Sequence, residues 1–338
     1  MKLNRRRWIG MGATAPWALP SALASALAWP FASLAADATP PGVAKILAGF
    51  PAGGSVDAIA RRLAEALQGS YAKALVVENR SGAGGRLAIE ALRQAGADGS
   101  TWLLSPADMF TIYPHIYPQL NYGWKDFVPV ASVCSFDYVW AVGPGTPDSV
   151  RSLQDYAAWV RTQPRLAAYA SPAAGTPSHF IGSLFADAMQ VKMTHVAYRG
   201  SAPAIQDLLG GVLPAFCTTV PDLMAYAADP RIRVLAVAAR ERSPFMPQVP
   251  TFAEQGYAQL VLAPNFFLVM LPRGASAATV DRLAGAVRDA LRLPRVESAL
   301  RTLGQTPDWS GPAATAQRLQ AQLAHWQGIV QRTGFVAE

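Results

Sequence analysis

Apolar residues recur along the first third of the chain with two different periods. Short apolar runs that end at glycine or proline predict strands, and longer segments with apolar residues three and four positions apart predict helices. Ile59, Leu63 and Leu67, for example, fall on one face of a helix. The pattern predicts strands over 45–50, 75–79 and 102–104, and helices over 56–67 and 86–94.

The same alternation continues to the C-terminus. Further strands are predicted over 138–142, 167–170, 194–198, 215–220, 234–238 and 266–271. Further helices are predicted over 153–161, 177–189, 202–209, 279–291 and 313–333. Strands and helices in alternation are typical of parallel sheets covered by helices on both faces. A chain of 338 residues has room for two such α/β domains.

The first 35 residues have the composition of an export signal. Lys2 and Arg5 to Arg7 precede an Ala-rich apolar stretch, which ends in the small-x-small pattern Ser33-Leu34-Ala35. We expect cleavage after Ala35 and a periplasmic location. The run from Arg5 to Ile9 resembles a twin-arginine signal, and a Sec signal is the alternative. A membrane anchor is a further reading, against which the prolines that interrupt the stretch argue.

Composition argues against several classes of function. Hydrophobic residues make up 51% of the chain and charged residues 15%, so a large core is expected. Without the four basic residues of the signal, the net charge falls from +7 to +3, and we expect no nucleic-acid binding. Cys134 and Cys217 lie in apolar segments and are expected to be buried thiols, with a disulfide as the alternative. The spacing of the histidines and cysteines indicates no metal site, and we expect no cofactor.

The first of three glycine-bearing loops runs from Phe50 to Asp57 (loop one). A glycine turn before a helix brings free backbone N–H groups and a partial positive charge close to a ligand, which suits a carboxylate. A plain tight turn is the alternative. The second loop, Ser81 to Gly85, lacks the third glycine of a dinucleotide-binding motif, because position 87 is Leu, and we interpret it as structural.

The third loop runs from Ser171 to His179 (loop three). Thr176 is a suitable N-cap and Pro177 a suitable first helical residue, so amides and the hydroxyls of Thr176 and Ser178 are expected to hold an anionic oxygen. An ordinary capped helix is the alternative. Ser178 and His179 are neighbours on the helix and point about 100° apart, so they do not form a nucleophile–base pair, and we expect no catalytic residues.

Several blocks in this order resemble the receptors of tripartite tricarboxylate transporters, also called the Bug family. The blocks are Phe50–Asp57, Val76–Gly85, Tyr169–His179, Tyr198–Gly211 and Val249–Gly256. The resemblance implies a periplasmic receptor with a two-lobed α/β Venus flytrap fold, type II-like, with two crossover strands. The lobes would comprise 36–138 with 266–338, and 139–265.

The resemblance also implies a small carboxylate ligand, held by loop one partly through waters and clasped by loop three. The implied ligand-binding residues are Phe50, Ala52, Gly53, Gly54, Ser55, Asp57, Ser105, Ala107, Asp108, Ser171, Gly175, Thr176, Ser178, His179, Tyr198, Thr218 and Phe266. The protein would act as a monomer and deliver its ligand to membrane permease subunits. A ligand-sensing receptor for a signalling partner is the alternative.

Three departures from the family pattern bear on the ligand. Asp108 stands in a loop that is usually rich in Gly, Thr and Ser, and Thr218 stands where the family has an acid. We hypothesise that Asp108 faces an ammonium or hydroxyl of the ligand; a solvent-facing Asp108 is the alternative. Phe266 stands where the family often has Trp, which would favour a ring or apolar tail on the ligand.

Overall fold

A computed structural model describes residues 42–337, so the predicted signal over 1–35 lies outside the described residues. The N-terminal part contains β1 (Val43–Ala48), α1 (Ser55–Leu67), β2 (Ala74–Asn79), α2 (Arg86–Arg93), β3 (Thr101–Pro106), α3 (Asp108–Thr111), α4 (Tyr113–Ile116) and β4 (Phe127–Phe136). The middle contains β5 (Tyr138–Val142), α5 (Leu153–Thr162), β6 (Ala168–Ser171), α6 (Pro177–Met189), β7 (Thr194–Ala197), α7 (Ser201–Leu209), β8 (Ala215–Thr219), α8 (Val220–Leu223) and β9 (Arg233–Val237). The C-terminal part contains β10 (Asn265–Pro272), α9 (Ala277–Leu291), α10 (Pro294–Thr302), β11 (Thr306–Ser310) and α11 (Pro312–Thr333).

The strands form two sheets. The larger sheet has the order β11-β4-β10-β3-β1-β2, and the smaller has the order β7-β6-β8-β5-β9. Asp137 alone separates β4 of the larger sheet from β5 of the smaller one, and the chain returns after β9 to begin β10. The chain therefore crosses twice between the sheets.

The sheets are mixed, which corrects the expectation of purely parallel ones. β1 pairs in parallel with β2 and β3, and β6 with β7 and β8. In contrast, β10 is antiparallel to β3 and β4, and β5 is antiparallel to β8 and β9. The end of β4 and the start of β10 lie side by side, where Phe136 pairs with Asn265. The two crossing strands therefore run in opposite directions.

Apolar side chains cover both faces of the larger sheet. Ile46 and Trp102 pack with α1 and α9 on one face, and Leu47 and Leu103 pack with α2 on the other. In the smaller sheet the buried ring of Trp140 contacts those of Tyr156 and Phe185, with centroids 5.4 and 5.0 Å apart. This packing holds the strand ends, and the loops that follow them, in fixed positions.

The thiols of Cys134 and Cys217 are free and buried, which confirms the expectation of buried cysteines. Within residues 42–337, no helix is both long and apolar enough to cross a membrane.

Candidate functional site

Loops one and three both begin where parallel strands end. β1 ends at Ala48 and β3 at Pro106 in the larger sheet, and β6 ends at Ser171 in the smaller sheet. Ligands of open α/β sheets bind beyond the carboxyl ends of the strands, where strand order reverses. A ligand site is therefore expected at these strand ends.

The side chain of Asp57 fixes the shape of loop one. Its carboxylate accepts hydrogen bonds from the Gly53 amide at 2.9 Å, from Asn79 at 3.0 Å and from two guanidinium nitrogens of Arg61 at 2.9 Å. These bonds, that to Arg61 above all, lower the pKa of the Asp57 carboxyl to about 2. Asp57 is 3% exposed. It therefore positions the loop, and the bonded Gly53 amide is not available to a ligand.

The start of α1 nevertheless presents free donors. Gly54 is the N-cap residue and supplies no side chain to cap the helix. The amides of Ser55 and Val56 have no acceptor among the described residues, while Phe50, Ala52, Gly53 and Gly54 leave this end at least partly open to solvent. Unsatisfied N–H groups at the positive end of a 13-residue helix attract an anion.

Loop three is held by hydrogen bonds within the loop. The Thr176 hydroxyl donates to the Ala173 carbonyl at 2.8 Å and accepts from the His179 amide at 3.4 Å, as an N-cap does. The Ser171 hydroxyl also donates to the Ala173 carbonyl, at 2.8 Å. Because a hydroxyl has one hydrogen, neither group has a donor left for an anion.

The Thr176 hydroxyl, which was predicted to hold a carboxylate oxygen, is thus bonded within its own loop. Ser178 is 2% exposed, and its side chain acts on the pKa of the buried Cys217 thiol. The free donors are backbone amides, those of Thr176 and Ser178, which have no acceptor among the described residues. Gly175 permits this turn with φ +74°, and its own amide donates to His179 Nδ1 at 3.1 Å.

Ser171 and His195 form a serine–histidine contact that sequence reasoning missed. The Ser171 Oγ to His195 Nε2 distance is 2.7 Å. Since the serine hydrogen is donated to Ala173, the histidine N–H is the donor in this bond, the reverse of what a nucleophile needs. Ser171 is also fully buried. The hydrogen bond from His195 therefore stabilises the start of loop three.

Asp108 begins α3, with Ala107 alone between it and the end of β3, beside the crossing strands. Burial raises the pKa of the Asp108 carboxyl to about 6, and the Asn265 amide acts in the opposite sense through a hydrogen bond. Asn265 also donates to the Tyr138 hydroxyl at 2.9 Å. Asn265 and Tyr138 lie on the two crossing strands, and no sequence motif pointed to either.

Contacts connect these parts around one gap. In the larger sheet, the side chains of Phe50 in loop one and of Met109, the neighbour of Asp108, both lie against Gly85. A Cβ at Gly85 would be 3.4 Å from the Phe50 ring and 2.6 Å from Met109. From the smaller sheet, Cys217 contacts Ser178 of loop three. Tyr138 at the start of β5 pairs with Thr219 at the carboxyl end of β8, and Phe267 of β10 pairs with Pro106 at the carboxyl end of β3. β6 runs parallel to β8 and β1 runs parallel to β3, so their carboxyl ends lie on the same side as the crossing strands. Both helix starts therefore border the crossing strands.

Other predicted residues lie apart from this gap. Phe266 is fully buried in the core of the larger sheet, with the Arg318 guanidinium 4.0 Å above its ring, so the structure corrects its expected role as an aromatic wall. Strand alternation places its neighbour Asn265 at the gap instead. Ala107 and Ser105 are also buried, at 0% and 2% exposure, and Ser105 donates to the Pro106 carbonyl. These two residues are therefore packed inside the protein, close to Asp108 in the chain.

Two predicted residues of the smaller sheet are bonded to acids. The Tyr198 hydroxyl donates to Asp207 at 2.6 Å, and burial raises the pKa of Tyr198 to about 12. Thr218 and Ser201 both donate to the carboxylate of Asp222. An acid missing at position 218 is thus present four residues later, which a fixed motif does not reveal.

The glycines of the second loop serve packing. Gly82, Gly84 and Gly85 all have positive φ, and a side chain on Gly49 would lie 2.9 Å from the Gly85 backbone. The loop therefore requires glycine for close approach to β1, in line with the structural interpretation. The two cavities described lie elsewhere: one of about 250 Å³ beside Tyr226 and Phe245, and one of about 350 Å³ beside Arg93 and Arg273.

Comparisons with known proteins agree with this architecture. The family model described as "Tripartite tricarboxylate transporter family receptor" matches residues 59–335. Protein BugT of Bordetella pertussis (strain Tohama I) is 33% identical over 305 residues, which cover 90% of this chain and 93% of BugT. Among solved structures, the periplasmic binding protein BugD has a TM-score of 0.76 at 25% identity, covering 88% of this chain and 99% of BugD.

A further solved structure, R. palustris Rpa4515 with adipate, has a TM-score of 0.78 at 28% identity and covers 87% of this chain and 97% of Rpa4515. These likenesses confirm the predicted two-lobed periplasmic-binding-protein fold with its two crossovers. The family model spans most of the chain, and the relatives match over nearly their whole length. The chain therefore belongs to the tripartite tricarboxylate transporter receptor family, whose members are solute-binding proteins.

Proposed function

We propose that this protein is an exported receptor that binds a small carboxylate between two α/β lobes and delivers it to a membrane permease, without chemistry of its own. The lobes comprise residues 36–138 with 266–338, and residues 139–265. The protein acts in the periplasm as a monomer. Adipate in the related Rpa4515 supports the ligand class.

One observation carries this proposal. The starts of α1 and α6 each present backbone amides without acceptors, at Ser55 and Val56 and at Thr176 and Ser178. They lie at the carboxyl ends of strands in different sheets, beside the crossing strands. A carboxylate ligand bridging both starts binds the closed arrangement of the lobes more tightly than the open one, and so shifts the population toward closure.

A screen of mono-, di- and tricarboxylates against residues 36–338 tests the proposal by thermal unfolding. A ligand present at about 100 times its Kd raises the unfolding free energy by roughly 2.7 kcal/mol, which corresponds to roughly 5 °C in Tm. No shift with any acid would contradict carboxylate binding.

The variant Ser55→Pro tests the role of the α1 start. Proline is favoured at the first helical position, so it removes one amide donor and keeps the helix. We expect the affinity for the bound acid to fall about threefold or more, while Ser55→Ala, which removes only the hydroxyl, changes it less. Ala277→Pro makes the same change at the start of α9, after the cap residue Ser276, and is expected to leave affinity unchanged.

A further inference from the structure

The carboxylate of Asp108 has an oxygen that the protein does not satisfy. Oδ1 of Asp108 is buried and has no hydrogen-bond partner. Leaving a buried acceptor unpaired is costly, and more so when it is charged, so such groups in native proteins point to a partner that is absent. Asp108 stands at the carboxyl end of β3, where the proposed ligand binds.

The groups that lower the pKa of Asp108 are uncharged: the backbone amide of Met109, the side chain of Asn265 and the backbone amide of Asp108. Burial raises the pKa of Tyr113, Tyr122 and Tyr138, and the charge of Asp108 adds to each shift, while Arg86 lowers the pKa of Tyr113 and Tyr122. No guanidinium or ammonium is among the groups that shift the Asp108 pKa within the described residues. The nearby acid Asp222 differs, because Ser201 and Thr218 both donate to it.

The gap is therefore polarised. Helix starts with free N–H groups attract negative charge, whereas Asp108 has a buried carboxylate oxygen without a partner beside the crossing strands. A ligand with only carboxylates would leave Asp108 unpaired, and would repel it. A ligand with one group of each sign satisfies both ends.

We propose that the physiological ligand carries a protonated amino group as well as a carboxylate, and that Asp108 binds the amino group. This inference rests on the proposed carboxylate-receptor function and names its ligand class, the amino acids. Asp108 is then the residue that determines specificity, and loop three receives the carboxylate.

Binding of matched acids tests this assignment. The pairs are aspartate and succinate, glutamate and glutarate, 4-aminobutyrate and butyrate, and phenylalanine and 3-phenylpropanoate, so that each pair differs by the amino group. By calorimetry, we expect the wild-type protein to bind the amino member of at least one pair about 10-fold or more tightly than its partner. In Asp108→Asn this preference should fall to within about threefold.

Asp137 offers a matched control. Its Oδ1 is also buried and unpartnered, and burial raises its pKa to about 6. Asp137, however, lies between β4 and β5, away from the carboxyl end of β3 where Asp108 stands, and no hydrogen bond joins its side chain to Asn265 among the described residues. Asp137→Asn should therefore keep the wild-type preference. Equal or tighter binding of the deamino acids by the wild-type protein, or an unchanged preference in Asp108→Asn, would overturn the inference and leave the carboxylate receptor standing.

Proton linkage gives a second readout on the unmodified protein. An ammonium beside Asp108 lowers the pKa of its carboxyl, so binding at pH 6 should release protons, measured by calorimetry in buffers of different ionisation enthalpy. Proton uptake would mean that Asp108 binds a second carboxylate in its protonated form, and would refute an amino ligand. If no acid of any pair binds, the proposed function fails and the inference fails with it.

Discussion

Two imidazoles, that of the buried His179 and that of the half-buried His195, lie side by side behind loop three. The rings of His179 and His195 stack with centroids 3.9 Å apart. Burial lowers the pKa of both to about 4, and for His195 the neighbouring His179 contributes. His179 uses Nδ1 to accept the Gly175 amide, and His195 donates Nε2–H to Ser171. The bond to His179 assigns its neutral form, because protonation of Nδ1 would remove the acceptor.

This pair predicts a loss of stability in acid. Since the folded pKa values lie below the unfolded value of about 6.5, the unfolded state binds more protons between pH 6.5 and 4. The two histidines do not lower the free energy of unfolding above pH 6.5. As the pH falls from 6.5 toward 4, each lowers it by up to roughly 1.4 kcal/mol per pH unit.

Asp108 and Asp137 act in the opposite sense over this range, because burial raises their pKa to about 6. The readout is therefore the difference between wild type and variant in urea unfolding from pH 7 to 4. His195→Gln should reduce the acid loss. The control is His115→Gln, at a histidine of α4 whose Nε2 lies 2.9 Å from the Leu323 carbonyl oxygen, and it should keep the wild-type profile. Parallel profiles for wild type and His195→Gln would contradict the prediction.

The helix that carries loop three lies unusually close to its sheet. A Cβ at Gly182 in α6 would stand 1.9 Å from the ring of Tyr169 on β6. The Tyr169 hydroxyl in turn donates to the His179 carbonyl at 2.8 Å. Glycine is a poor helix former, so its presence in mid-helix is explained by this close approach. The contact fixes how far the first turn of α6 lies from β6, and so fixes the positions of the Thr176 and Ser178 amides.

Gly182→Ala is expected to lower the unfolding free energy by about 1–3 kcal/mol, because Tyr169 or the helix must move. The matched control is Gly285→Ala in α9, where nothing lies within 4 Å of the new Cβ. There alanine should stabilise the helix by up to about 1 kcal/mol. Urea unfolding at pH 7 measures both, and equal effects at the two positions would refute the packing argument.

At the scale of the whole molecule, the C-terminal segment joins the two sheets. After α11, which follows strand β11 of the larger sheet, Phe335 packs edge-on against His179 and Phe180 of α6, with centroids 4.8 and 5.9 Å apart. The Ala337 amide then donates to the Ile116 carbonyl at 2.8 Å. The last residues thus contact both α4 and α6.

Phe335→Ala is expected to lower the unfolding free energy by about 1–2 kcal/mol, through lost ring packing on α6. It should also weaken ligand binding, because the ring supports His179 behind loop three. The neighbouring Val336 is 60% exposed, and Val336→Ala should change stability by less than about 0.5 kcal/mol. Urea unfolding and calorimetry check these values, and similar losses in the two variants would contradict a specific contact.

Local sequence alone determined most of the helices and strands. Helix α6 spans Pro177–Met189 as predicted, because Thr176 and Pro177 define its start by short-range chemistry. Strand β5 was also predicted with its observed bounds. β4, α10 and β11 were missed, and of these β4 is interrupted by Pro129 while β11 is a short, largely polar strand at the edge of the sheet. The loop motifs were enough to identify the family.

Tertiary structure decided which groups at the loops are free. Strand direction depends on how the chain crosses between sheets, and the Thr176 hydroxyl is lost to a carbonyl that only the folded loop brings near. Asn265 takes the place expected for Phe266, and Asp222 lies beside Thr218. Periodicity is a property of neighbouring residues, whereas hydrogen-bond partners and unpaired charges depend on residues that folding alone brings together.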